Sequence, residues 1–211
     1  MNHWFSSLFK ANDENIVIAI TAPQTDSLNI PNKEQMLALY HEVEHSNLMP
    51  YVDQINTLPM LPHEPVAGTI VSEVKDKKGR DVWMLSNGAK VIIKRTNYKE
   101  DQILVQQLSK GGYSLYSPED YRLGPIMGMA SAVVGLGNWN LADLQKNTTG
   151  ITAHVQGGIA ENYQSVAGSC SPKDIKYLLE MMHAAIRYPN KDEKAFAALM
   201  ERLEKSSRES E

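Results

Sequence analysis

The chain holds one cysteine among 211 residues, Cys170, so no internal disulfide framework can staple it. Aromatic residues make up only 7% and are not interleaved with basic ones, which argues against a stacking platform for single-stranded nucleic acid. Charge of one sign is also scarce: 25 acidic against 21 basic side chains leave a net charge of −4, spread along the chain. That balance excludes a polybasic membrane anchor and the electrostatic footprint of a nucleic-acid binder. No hydrophobic run is long enough to span a bilayer; the longest, around Ile126 to Leu136, is short and interrupted by glycines. Residues 1–11 lack the charged, apolar and small-residue layout of a secretory signal. What remains is 42% hydrophobic and 22% charged, an ordinary globular composition with enough length for one sizeable core.

The pattern along the chain begins with an amphipathic stretch, Trp4, Phe5, Leu8 and Phe9, running into a strand-like Ile16 to Ile20. This reads as the end of a preceding unit. The last helix stops in charged residues at Glu211, so the chain is expected to be a piece of a longer one. After a gap from Pro23 to Pro31, Asn32 is placed to cap a helix over about Lys33 to Ser46, with Glu34 and Gln35 in its first turn. Pro50, Pro59, Pro62 and Pro65 then keep a long stretch irregular, as a linker wrapping over a surface.

From Gly68 the character changes. Thr69 to Val74 is strand-like, and Asp81 to Leu85 and Lys90 to Thr96 flank Ser86-Asn87-Gly88, a strong hairpin signal. Ile103 to Leu108 supplies a further strand, closed by Gly111-Gly112. A helix is expected from about Glu119 to Leu136, ended by Gly135 and Gly137, and a short one over Leu141 to Lys146. Ile151 to Gln156 and Asn162 to Gly168 read as a hairpin across Gly157-Gly158. Ser171-Pro172 with Asp174 starts a helix to Arg187, with Ile175, Leu178, Leu179, Met182 and Ile186 on one face. Pro189 breaks it before a final helix from about Asp192. Antiparallel hairpins with grouped helices describe an α+β layer fold.

One motif carries explicit chemistry. His41-Glu42-Val43-Glu44-His45 satisfies both the forward H-E-x-x-H and the inverted H-x-x-E-H zinc-peptidase patterns. Either places two imidazoles one helical turn apart, with a glutamate to activate zinc-bound water. On a helical wheel, however, Met36, Leu39, Tyr40 and Val43 form one stripe, and His41 and His45 fall largely on the opposite, polar side. A catalytic zinc needs three protein ligands, second-shell support and a dry cavity. A solvated helix face explains the spacing better than a metal site.

The remaining candidates read as structural. His154 falls in a strand and His183 on a helix face, each expected as a hydrogen-bonded structural histidine, while His3 and His63 lie in end or linker contexts. Cys170 precedes a helix start but reads as a buried small hydrophobe. Lys110-Gly111-Gly112-Tyr113 and Gly157-Gly158 lack phosphate-loop spacing and read as turns, and Gly124 with Gly128 suggests close helix packing.

Trp83 to Thr96, Leu108-Ser-Lys-Gly-Gly112 and Gly168 to Leu179, in that order, resemble the pitrilysin or insulinase family of zinc metallopeptidases, in particular bacterial enzymes built from four homologous domains. The resemblance implies a partial LuxS/MPP-like metallohydrolase fold, an antiparallel sheet with helices packed on one face. Asn15 through Pro50-Tyr-Val-Asp53 resembles the end of a second domain and its connection to a third. The implied organisation is the end of a preceding domain at 1–30, a helical and Pro-rich connector at 31–67, and a peptidase-like domain at 68–211, incomplete at its C-terminus.

In that family the inverted motif lies on the first long helix after the Asn-Gly hairpin and the following strand. The corresponding stretch here, Asp120 to Leu136, holds no histidine and no glutamate, whereas His41 to His45 lies upstream of the hairpin. The resemblance therefore implies that no family zinc ligand is carried by this chain, and that His41, Glu44 and His45 are decoys. Expected are a degenerate, non-catalytic third repeat in the wall of a substrate chamber, no cofactor in this segment, and zinc in the catalytic domain of the parent chain. Its partners would be the other domains of its own chain and the parent's peptide substrate, with no nucleic acid and no membrane-spanning segment. A periplasmic or cell-envelope location follows by resemblance. Two alternatives stay open: a self-sufficient zinc hydrolase using His41, Glu42 or Glu44, and His45, and a pure scaffold or assembly module.

Overall fold

The structure, a computed structural model, describes residues 17–22 and 29–208. His3, Trp4, Phe5, Leu8, Phe9 and Ile16 lie outside the described residues. The chain divides into two compact units, Met1–Val52 and Asp53–Glu211.

The first unit carries helix α1, Lys33–Glu44. Its start is set by a reciprocal cap. The Gln35 N–H donates to Asn32 Oδ1 and the Asn32 N–H to Gln35 Oε1, both at 2.9 Å, satisfying two backbone donors that the first turn leaves open. Val17 to Ile20, expected as strand, has no regular structure; it pairs with no strand among the described residues, and a strand alone leaves its backbone groups unmatched.

The second unit begins with an irregular strap, residues 53–69, kept so by its prolines. Strands β1 (Ile70–Lys75), β2 (Asp81–Leu85) and β3 (Lys90–Ile93) form a three-stranded antiparallel sheet in that order. The expected hairpin turn is present: the Gly88 N–H donates to Leu85 O and the Ala89 N–H to Asn87 Oδ1. A second antiparallel sheet, ordered β4-β6-β5, holds β4 (Ile103–Lys110), β5 (Ala153–Ile159) and β6 (Tyr163–Cys170).

Helices α2 (Pro118–Tyr121) and α3 (Gly124–Ser131) stand where one helix from Glu119 to Leu136 is expected. Pro125 explains the break. It has no N–H for Tyr121 O, and its ring would strike that carbonyl in a continuous helix, so the chain restarts with the proline in the first turn. Helix α4 (Leu141–Asn147) follows with Asn140 as its cap. The β5–β6 turn also differs from expectation. Gly157 and Gly158 lie inside β5, opposite Val166 and Ser165, and the chain reverses at 160–162, closed by the Ala160 N–H on Tyr163 O. The short loop of three residues, rather than the glycine pair, makes the turn.

Helices α5 (Ile175–Arg187) and α6 (Glu193–Arg208) complete the unit. Helix α5 packs on β5 and β6, and α3 on β5. Ile103, Cys170 and Ala153 share one row of the second sheet, and Val105, Gly168 and Val155 share another. Both rows face the core, which gathers around Leu178, Met181, Met182, Val166 and Trp139. On α5 the buried stripe is Leu178, Met181, Met182 and Ala184, while Leu179 and Ile186, expected inside, are exposed. Met181 shifts the stripe away from them. A core on one face of an antiparallel sheet under helices is the α+β layering the sequence implies.

Candidate functional site

The double-histidine motif is where helical spacing puts it, on the last turns of α1. The rings of His41 and His45 lie 6.5 Å apart, centroid to centroid, and the Tyr40 ring meets His41 edge-on at 5.6 Å. His45 Nδ1 donates to His41 O at 2.7 Å, and His41 Nδ1 lies 3.5 Å from Glu44 Oε2. Glu42 and His45 are exposed and His41 is half-buried. The apolar side of α1 turns elsewhere: Met36, Leu37 and Tyr40 line a groove of about 470 Å³ with Ile18, Ile20 and Ile30, and neither histidine reaches it. These two imidazoles and a carboxylate meet, among the described residues, no further His, Cys, Asp or Glu ligand from another element. Among the described residues, no three His, Cys, Asp or Glu side chains converge to hold a metal ion.

The stretch that the resemblance sets against the family's ligand helix folds as α2 and α3. Its residues 118–131 include no histidine, and Glu119, its one glutamate, is exposed on α2. Gly124 is buried against the Tyr113 ring, which in turn meets Tyr121 edge-on at 5.1 Å. Gly128, expected to share in close packing, opens onto empty space instead.

The other titratable candidates are dispersed. His154, expected to be held by a hydrogen bond within the fold, is exposed on β5. His183 on α5 and His63 on the strap both meet the Tyr188 ring edge-on, at 5.7 Å and 6.3 Å. Cys170 is buried at the end of β6; burial, with a smaller contribution from the Asp174 charge, pushes its thiol upward and away from the reactive thiolate. The Ser171 hydroxyl and then the Thr152 N–H, both donating to the Asp174 carboxylate, lower that group. Tyr177, stacked on Trp139 at 6.5 Å, is raised by burial and then by Glu180.

A feature without any motif is the back of the second sheet. Helices α3 and α5 cover one face, so the alternate rows point away from them. Those rows are Leu104, Ser169 and His154; Gln106, Ala167 and Gln156; Leu108, Ser165 and Gly158; and Lys110 with Tyr163. Leu104 is 73% exposed, Leu108 62% and Tyr163 50%. Apolar side chains spaced among amide- and hydroxyl-bearing ones can meet a peptide through side-chain hydrogen bonds and shallow apolar contacts. The alternation in Ile103 to Lys110 carries a faint signal of it, blurred by the successive Gln106 and Gln107.

No protein-family model matches the chain, and no curated protein matches it in sequence. Solved structures do. The periplasmic protease PqqL from Escherichia coli superposes with a TM-score of 0.62 at 17% identity, over 82% of this chain and 19% of PqqL. A variant of the ferredoxin protease FusC, solved in complex with Arabidopsis ferredoxin, gives a TM-score of 0.57 at 16% identity, over 83% of this chain and 20% of FusC. The fold is one that segments of these proteases share. The chain spans about a fifth of the length of either protease, and at such identities the likeness speaks for the fold. Among the described residues, no helix is long and apolar enough to cross a membrane.

Proposed function

We propose that this chain is a non-catalytic segment of a pitrilysin-type zinc peptidase, a degenerate repeat that helps wall a substrate chamber while zinc and catalysis reside elsewhere in the parent chain. The observation that carries this reading is the pairing of a protease-shared fold with a ligand-free α2–α3 segment. Short helices with glycine and alanine in place of histidine and glutamate supply packing rather than metal donors. The open rows of the second sheet then serve as wall, offering Gln106, Gln156 and Leu108 to peptide. Partners are the other domains of the parent chain and its peptide substrates, consistent with FusC having been captured with a protein bound. A cell-envelope location fits the periplasmic protease of the same fold.

Two measurements test it. The purified chain should hold no stoichiometric zinc, and any peptide hydrolysis should stay at background with or without chelator. Stoichiometric zinc that His41→Ala and His45→Ala abolish, with chelator-sensitive hydrolysis, would instead make α1 a working hydrolase site. In the parent enzyme, a photo-cross-linker on Gln106→Cys should capture substrate peptide, and one on the helix side at Lys176→Cys should not. Equal capture at both positions removes the wall assignment.

A further inference from the structure

The strap is not held by regular structure; it is held by side chains that read it. Asn56 Nδ2 donates to Asn138 O at 3.0 Å and to Asp143 Oδ2 at 3.1 Å, while Asn56 O accepts from Asn147 Nδ2 at 3.0 Å. Its remaining acceptor, Oδ1, takes the Leu58 N–H at 3.1 Å, which bends the strap at Leu58. The next carbonyls are each met by a different donor. Leu58 O accepts from the Trp139 indole at 2.7 Å, Pro59 O from Asn138 Nδ2 at 2.8 Å, and Met60 O from the Asn138 N–H at 2.9 Å. Pro59 has no N–H to leave unmatched. The Met60 side chain, 4% exposed, enters the core beside Trp139.

The receiving corner is itself braced. Asn140 Oδ1 caps α4 by accepting the Asp143 N–H, which fixes the backbone that carries the carboxylate facing Asn56. Gly137 is held from behind by its N–H on Tyr188 O and by Asn190 Nδ2 on its carbonyl. A Cβ on Gly137 would fall 1.9 Å from Met60 O, so the corner is shaped for a close backbone approach.

Main-chain hydrogen bonds for affinity, with side-chain pockets for selectivity, are how peptide-recognition modules work. We infer that Leu136 to Asn147 forms a peptide-binding site whose ligand is a bent Asn-x-Leu-Pro-Met segment, occupied in cis by the chain's own Asn56 to Met60. This holds whatever the function of the open sheet. Asn56 is the selective position, because aspartate there would set a second carboxylate against Asp143. A tethered ligand acts at an effective concentration on the order of millimolar, so a free peptide cannot compete at ordinary concentrations with the intact strap.

The test uses the full chain carrying Asn56→Ala and Met60→Ala, checked for folding by circular dichroism, and a fluorescent synthetic peptide of residues 53–63. The folded variant should bind the peptide saturably in anisotropy titrations, and the unaltered chain at least about tenfold more weakly. Asn56→Ala within the peptide should cost about tenfold or more, the usual worth of a hydrogen bond to a charged group. A folded variant that takes up no peptide, or takes up both peptides equally, overturns the assignment. Should the variant not fold, the unaltered chain decides by hydrogen exchange. A Trp139 indole N–H that exchanges far more slowly than an exposed one supports a seated strap, and free exchange refutes it.

Discussion

Gly137 and Gly150 offer a matched pair of perturbations that isolates what the strap contributes to stability. Both have positive φ, +56° and +83°, so alanine at either position meets the left-handed penalty of roughly 1–2 kcal/mol. Loss of glycine's freedom in the unfolded chain returns about 0.4–1 kcal/mol of that. Their surroundings differ. A Cβ on Gly150 meets nothing within 4 Å, whereas one on Gly137 would lie 1.9 Å from Met60 O and 2.9 Å from its carbonyl carbon, both backbone atoms. Gly137→Ala must therefore push the strap away. That exposes much of Met60, about 1.5–3 kcal/mol for a side chain of its class. It also breaks the bonds to Leu58 O and Met60 O, each about 1 kcal/mol net.

Gly150→Ala is thus expected to cost roughly 0–1.6 kcal/mol, and Gly137→Ala about 3 kcal/mol or more beyond that. Against a total stability of about 5–15 kcal/mol the difference is large. Urea unfolding followed by both tryptophan fluorescence and far-ultraviolet circular dichroism measures it, with coincident transitions required before a free energy is taken. If the two variants agree within about 0.5 kcal/mol, the strap is not seated as the structure has it, and the reasoning fails.

Leu178 is fully buried and packs on Gly168, so Leu178→Ala should cost about 2–5 kcal/mol in the same urea assay; a loss below about 1 kcal/mol would contradict that burial. Asp174, with its carboxyl held below the ordinary value by Ser171 and Thr152, lends stability that is complete above the usual carboxylate range and is lost as pH falls through the lowered value. Asp174→Asn should therefore flatten the acid limb of a plot of urea midpoint against pH, and an unchanged limb rules this contribution out. Cys170, buried and with its thiol raised, should resist an aromatic disulfide reagent at neutral pH until urea unfolds the chain; reaction of the native protein at the rate of a free thiol would refute its burial.

How far the sequence reaches into this structure depends on the range of the forces involved. Local hydrogen-bond chemistry was legible: Asn32 caps α1, and Asn87-Gly88 turns the β2–β3 hairpin. The break at Gly124-Pro125 was equally local and was overridden by the apolar run around it, although a proline ring cannot sit within a continuous helix. Gly157 and Gly158 mislead for a different reason. Gly157 pairs with Val166 in the sheet, and a Cβ there would make only ordinary contact with the Ser131 hydroxyl of α3 at 3.8 Å, so strand pairing over 153–159, rather than turn propensity, decides its conformation. The helical wheel of α5 erred by a small rotation, which was enough to exchange Met181 for Leu179 as a core residue.

For the candidate sites the limit is sharper. His41-Glu42-Val43-Glu44-His45 fixes two ring positions on one helix and nothing more; a third ligand, a pocket and a second shell must come from distant residues. A five-residue match is therefore least informative about the part of a metal site that decides function. Asn56 presents the opposite case. It matches no motif, yet its side chain and carbonyl engage Asn138, Asp143 and Asn147, more than 80 positions away in sequence. The rows of Leu104, Gln106 and Leu108 likewise become a surface only because α3 and α5 both settle on the other side of the sheet. Spacing along the chain reports which side chains share an element, whereas a site depends on which elements share a space. In this chain the first criterion selects the histidines of α1, and the second selects the strap corner and the open sheet.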